Sequence, residues 1–143
     1  MLEYGAGGSI FWLASRVASV VALENDATWA SDLAQEVPAN ASVKLVEDME
    51  SYDVGRLVQA GCPQIVVVDC TGDRMPCAPR ALCCLGDDGC LIWNDTDGPD
   101  WPSIEGMMKD AGFRSISFAG MTPQEVAGSR TTVFYRDGNC LGI

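Results

Sequence analysis

The stretch "QIVVVDC" at residues 64–70 sets four consecutive apolar residues in front of an acid. An unbroken β-branched run of this kind suits a strand buried on both faces, since a solvated face would demand alternation. Similar runs recur as "ASVVALE" (18–24), "SVKLVE" (42–47) and "CLIWND" (90–95). A first strand over residues 1–4 and two late ones over 115–119 and 131–136 bring the expected number to seven. The gaps between the early runs carry helix signals. Residues 10–17 start directly from a glycine loop, Asp26 is placed to cap a helix over 27–36, and Pro38 stops it. Further helices are expected over 53–60, 76–85 and 103–111, ended by Gly61, Gly86 and Gly112. Strands alternating with helices in this rhythm predict an α/β fold with a parallel sheet covered on both faces. The turn-rich stretches are 94–102 ("NDTDGPDWP") and 120–129.

A chain of 143 residues is expected to form one domain, residues 1–143. Its net charge of −11 argues against a nucleic-acid backbone as partner, because that affinity rests on Lys and Arg. The absence of His removes the commonest general base and every Ser-His or Cys-His nucleophile scheme. No run approaches the roughly 18 apolar residues of a membrane span, and no secretory signal is evident. A cytoplasmic location without membrane contact is therefore expected. The seven cysteines form no C-x-x-C pair, which suits reduced structural thiols better than a zinc site.

The glycine loop reads E-x-G-x-G-x-S, from Glu3 through Gly5 and Gly7 to Ser9. Such a loop after a strand lets backbone N–H groups and a helix start approach a ligand closely. A dinucleotide fingerprint would need glycine where Ile10 stands, and a P-loop would need a Lys that is missing. An acid at the end of the second strand, Glu24, is placed to accept both hydroxyls of a ribose.

This arrangement resembles the first motif of the class I S-adenosylmethionine-dependent methyltransferases, E/D-x-G-x-G-x-G, with Ser9 replacing the third glycine. The segment "VVALENDATWA" resembles that family's second-strand region, and "AGFRSISFAG" with "TTVFYR" its closing helix and antiparallel strand pair. The resemblance covers essentially the whole chain. It implies a Rossmann-like, doubly wound, mostly parallel seven-stranded sheet with an antiparallel C-terminal pair. It further implies S-adenosylmethionine as cofactor, held by Glu3, Gly5, Gly7, Ser9, Glu24 and Asp48, and methyl transfer to a small molecule. Asp48, beside Glu47, would contact the adenine, and Asp69 would stand at the pocket mouth as the catalytic residue. Plainer roles remain open: strand end and helix cap for Glu24 and Asp26, a solvated turn for Glu47 and Asp48, a loop cap for Asp69. Trp12 and Trp29 read as packing residues, Trp29 near the pocket's rim.

Methyl transfer is a direct displacement that rests mainly on positioning. If a base is needed, Asp69, Asp95 and Asp97 are candidates, with Tyr4 behind them. Asp69 with Asn94 and Asp95 also resembles the Mg²⁺ site of catechol-type enzymes, in reversed order, and no metal is expected. The short first strand suggests a pocket completed by a homodimer, or a non-catalytic binding module that kept the fold. A nicotinamide-dependent oxidoreductase is the third reading, opposed by Ile10 and the terminal strands.

Overall fold

The apolar runs lie side by side in one seven-stranded sheet. The computed structural model describes residues 1–59, 61–121 and 128–143, Val58 by its backbone alone. In chain order the elements are β1 (Leu2–Tyr4), α1 (Ser9–Ala14), β2 (Val20–Glu24), α2 (Ala27–Glu36), β3 (Ala41–Leu45) and α3 (Gly55–Gln59). They continue with β4 (Ile65–Val68), α4 (Cys77–Cys84), β5 (Cys90–Trp93), α5 (Trp101–Asp110), β6 (Arg114–Gly120) and β7 (Ser129–Tyr135). The strand order is β3-β2-β1-β4-β5-β7-β6. The first five are parallel to one another, and β7 is antiparallel to both β5 and β6. Among the described residues, no helix is long and apolar enough to cross a membrane.

Three residues suffice for β1 because it is clamped from both sides. Leu2, Glu3 and Tyr4 pair with Val21, Ala22 and Leu23 of β2 and with Val66, Val67 and Val68 of β4. All three are buried. Alternation then sends Leu2 and Tyr4 to one face and Glu3 to the other. The first face packs on α4 and α5 through Leu23, Val68, Leu91, Trp93, Met108 and Phe134. The opposite face packs on α1 and α2 through Ile10, Leu13, Val20, Ala22 and Leu33. The chain steps outward from β1 to β3, then crosses back to β4. That reversal lies between β1 and β4, where open α/β sheets bind ligands.

Several boundaries differ from the sequence expectation for local reasons. α1 ends at Ala14 rather than residue 17, and the Asn40 side chain takes up the exit by donating to the Ala14 and Val17 carbonyls. α5 begins at Trp101, since Pro102 is tolerated in a first turn where its N–H would have no partner. α3 is shorter than 53–60, and Ala60 lies outside the described residues. Of the loop expected over 120–129, Gly120 belongs to β6 and Ser129 to β7, while residues 122–127 lie outside the described residues. Every residue of the edge strand β6 is exposed.

Phe134 anchors β7, 1% exposed and packed against the Trp101 ring at 5.5 Å between centroids. Phe134→Ala is expected to cost about 3–5 kcal/mol in urea denaturation, through lost burial and the cavity left behind. A cost below about 1 kcal/mol would place β7 outside the cooperative core.

Candidate functional site

At the switch between β1 and β4 lies a cavity of about 430 Å³. Its walls come from the loops after β1, β2 and β4: Gly5, Ala6, Gly7 and Ser9; Glu24, Asn25 and Asp26; Asp69, Cys70 and Thr71. Trp29 and Met49 add apolar surface. The glycine loop thus stands where the sequence placed it, and its two glycines at positions 5 and 7 differ in what they require. Gly5 has φ +91, and a Cβ there would lie 2.7–2.8 Å from backbone atoms of Asp69 and Cys70. Only glycine fits that approach. At Gly7 a Cβ would meet nothing closer than the Ser9 hydroxyl at 3.7 Å, so its bareness opens the cavity without relieving a clash.

Glu24 is the most firmly built wall residue. One carboxylate oxygen accepts from the Ala6 N–H at 3.1 Å, the other from Asn25 and Asp26 N–H at 2.8 Å each. It is 8% exposed and faces the cavity. The plainer roles are also filled: Asp26 caps α2 by accepting from the Trp29 N–H at 2.9 Å. Trp29 does more than pack, since its indole N–H donates to the Ala6 carbonyl at 2.7 Å. Ala6 is therefore held from both its N–H and its C=O. Trp12 stays on the surface under Arg16, outside the cavity.

The other expected site residues fare unequally. Glu3 is fully buried behind the wall, and Ser9 donates to its Oε1 at 2.6 Å while Oε2 has no partner among the described residues. Burial pushes the Glu3 carboxyl up to about 7, with nearby Asp69 adding to the rise and the Ser9 bond opposing it. Ser9 is thus the tether of a buried acid, a role a glycine could not have. Asp48 does not reach the cavity: its carboxylate turns into its own loop, accepting from Glu50 and Ser51 N–H at 2.9 and 2.7 Å. Met49 takes the wall position instead, and Glu47 is exposed. Tyr4 points into the core with its hydroxyl unpartnered and its ionisation suppressed by burial, which removes it as a base. Asp97 is exposed and lines no part of the cavity.

Asp69 does line it, and it is paired. Asn94 donates to its carboxylate at 2.9 Å, and the Arg74 guanidinium lies 4.0 Å away. The same guanidinium donates to the Cys70 carbonyl, to the Asn94 carbonyl at 2.9 Å and to Asp95 at 3.3 Å. The acids that resembled a Mg²⁺ site thus surround an arginine. Arg74 went unnoticed in the sequence, although it is the lone base between β4 and α4. A second cavity of about 260 Å³ lies on its far side, lined by Gly72, Arg74, Trp93, Asp95, Trp101 and others.

No protein-family model matches the sequence, and no curated protein is similar to it. Solved structures are similar in fold. Precorrin-6y C5,15-methyltransferase from Geobacter metallireducens superposes with a TM-score of 0.66 at 14% identity, over 94% of this chain and 80% of that one. The O-methyltransferase TomG from Streptomyces achromogenes, in complex with SAM, gives 0.68 at 17%, over 94% and 71%. The O-methyltransferase from Bacillus cereus, in complex with SAH, gives 0.65 at 14%, over 94% and 73%. The fold is that of the class I methyltransferases.

The buried Glu3 makes stability depend on pH in a definite direction. Its carboxyl holds a proton more tightly in the fold than in the unfolded chain, so stability falls as pH rises from about 4.5 to about 7. The expected loss is on the order of 3 kcal/mol. Glu3→Gln should remove that part of the pH dependence in urea titrations across this range. A variant tracking wild type at every pH would show that Glu3 does not titrate there.

Proposed function

We propose that this protein binds S-adenosylmethionine in the larger cavity and transfers its methyl group to a small molecule. The observation that carries this reading is Glu24, a carboxylate fixed by three backbone N–H groups and facing the cavity across a glycine loop. The cavity's chemistry fits the cofactor. Glu24 suits the ribose hydroxyls, and its oxygens retain acceptor capacity beyond the three amides. Gly7 leaves room for the amino-acid end, Gly5 lets the loop pack onto the end of β4, and Trp29 and Met49 offer apolar contact to the base. Glu3 lies buried behind the loop, with one carboxyl oxygen unpartnered among the described residues. S-adenosylmethionine, when bound, supplies a methyl group on a positively charged sulfur.

The chain's own contribution is positioning, exclusion of water and a base. Asp69 stands where the larger cavity meets the loop toward the second one, oriented by Asn94 and Arg74. It accepts the proton of an acceptor that arrives protonated. The acceptor lies in the cavity between Trp93, Trp101 and Arg74, whose size suits a small molecule. The net charge of −11 supports the same preference over a nucleic acid. Two of the structural neighbours, named for precorrin-6y and for tomaymycin synthesis, are consistent with a small-molecule acceptor. A cytoplasmic location and a homodimer belong to this reading.

Calorimetric titration with S-adenosylhomocysteine is expected to give one-to-one binding, with NAD as a silent control. Glu24→Ala should weaken that binding by about 1.5–3 kcal/mol, the range for hydrogen bonds to a charged group. Circular dichroism of the variant separates this loss from unfolding. Binding of NAD in place of S-adenosylhomocysteine, or an unchanged affinity in the folded variant, would overturn the assignment.

A further inference from the structure

Two thiols that the proposed chemistry does not use meet behind the larger cavity, and one of them lines it. Cys70 follows Asp69 directly and lines the cavity, and Cys77 is the first residue of α4. Both side chains are buried, at 1% and 0% exposure, and their sulfurs are 3.9 Å apart. The sulfurs are already in contact, whereas a disulfide needs about 2.05 Å. Residues 71–76 between them form bends and turns, with Gly72 at φ +83. Cys77 begins α4, so closure draws that helix start and the loop before it toward Cys70.

We propose that Cys70 and Cys77 form a reversible disulfide on exposure to a hydroperoxide, and that this bond shuts down ligand binding in the adjoining cavity. The second part rests on the cofactor reading above. The two thiols have different roles. The hydrogen bond from Cys77 holds Cys70 below the ordinary thiol range, against its burial and with help from Arg74. That bond and burial push Cys77 up. Cys70 is accordingly the attacking thiolate and Cys77 the resolving thiol.

The Cys70 sulfur attacks one oxygen of the peroxide, and the O–O bond breaks. Cys70 becomes a sulfenic acid, and the other oxygen leaves as an alcohol carrying the Cys70 proton. The Cys77 sulfur then attacks the Cys70 sulfur and expels hydroxide, which leaves as water with the Cys77 proton. Two thiols thus lose two electrons and two protons, and the hydroperoxide is reduced to alcohol and water.

The loop that must move carries Arg74, which ties the Cys70 carbonyl to Asn94 and Asp95. The backbone of Cys70 is also the surface against which Gly5 packs. Closing the disulfide therefore shifts the guanidinium and the cavity wall together. A ligand in the cavity covers Cys70 and slows the oxidation.

The test is treatment of the reduced wild-type protein with hydrogen peroxide, followed by peptide mapping without reductant. A linked peptide joining Cys70 to Cys77, lost again with dithiothreitol, is expected. Cys77→Ala should instead accumulate a dimedone-trapped sulfenic acid at Cys70; should that variant not fold, the wild-type map decides alone. Calorimetry of the oxidised protein should show S-adenosylhomocysteine affinity lower by about tenfold or more, restored by dithiothreitol. Linkage elsewhere, for instance between the neighbouring Cys90 and Cys140, with Cys70 and Cys77 unmodified would overturn the proposal. So would a Cys70–Cys77 disulfide that leaves affinity unchanged. Failure of the reduced protein to bind S-adenosylhomocysteine would sink the cofactor reading, while the linked peptide would still decide the oxidation.

Discussion

Gly5 lies against the backbone of Asp69 and Cys70 with no space for a side chain, and the cavity follows from that contact. It brings the loop after β1 onto the end of β4 and fixes the distance between the glycine loop and Asp69. The next residue extends the constraint. Ala6 gives its N–H to Glu24 and its carbonyl to the Trp29 indole, so the ends of β1, β2 and β4 and the start of α2 hold one another. Each bond alone contributes only about 1–3 kcal/mol, the larger share for the one to the carboxylate. Together they leave the loop a single conformation, and a pocket already in its binding shape loses little entropy when a ligand enters.

The cavity is electrostatically one-sided. Glu24, Asp26 and Asp69 line it, and Glu3 is buried directly behind. Burial raises the cost of ionising Glu3, and the nearby Asp69 carboxylate adds to it. A positive charge in the cavity relieves that cost. An acidic pocket of this kind and a sulfonium ligand are therefore physically matched. Arg74 pairs with both Asp69 and Asp95, at 4.0 and 3.3 Å, and offsets part of their charge.

The outline of the fold was legible because strands buried on both faces must be continuous apolar runs. Residues 18–24, 64–70 and 90–95 became β2, β4 and β5 with small changes at their ends. Gly5, Gly7, Ser9, Glu24 and Asp69 all line the one cavity, since loop geometry and strand ends are local features. Asp48 and Met49 show the limit. Both lie in the turn after β3, where the Asp48 carboxylate folds back onto the Glu50 and Ser51 N–H groups and Met49 lines the cavity. Arg74 and the indole of Trp29 were missed because their partners lie 20 and 23 positions away in sequence.

The sequence by itself determined the succession of strands and helices, the glycine at the one left-handed turn of the loop, and the acid that ends β2. These depend on short-range sterics and on periodic burial, which neighbouring residues encode. Only the tertiary structure decided that Glu3 is sealed behind Ser9, that Arg74 gathers Asp69, Asn94 and Asp95, and that the Cys70 and Cys77 sulfurs meet. Those outcomes depend on how far apart the ends of different strands lie after the sheet has formed. Such distances are set by register and twist across the whole sheet, and no local pattern carries them.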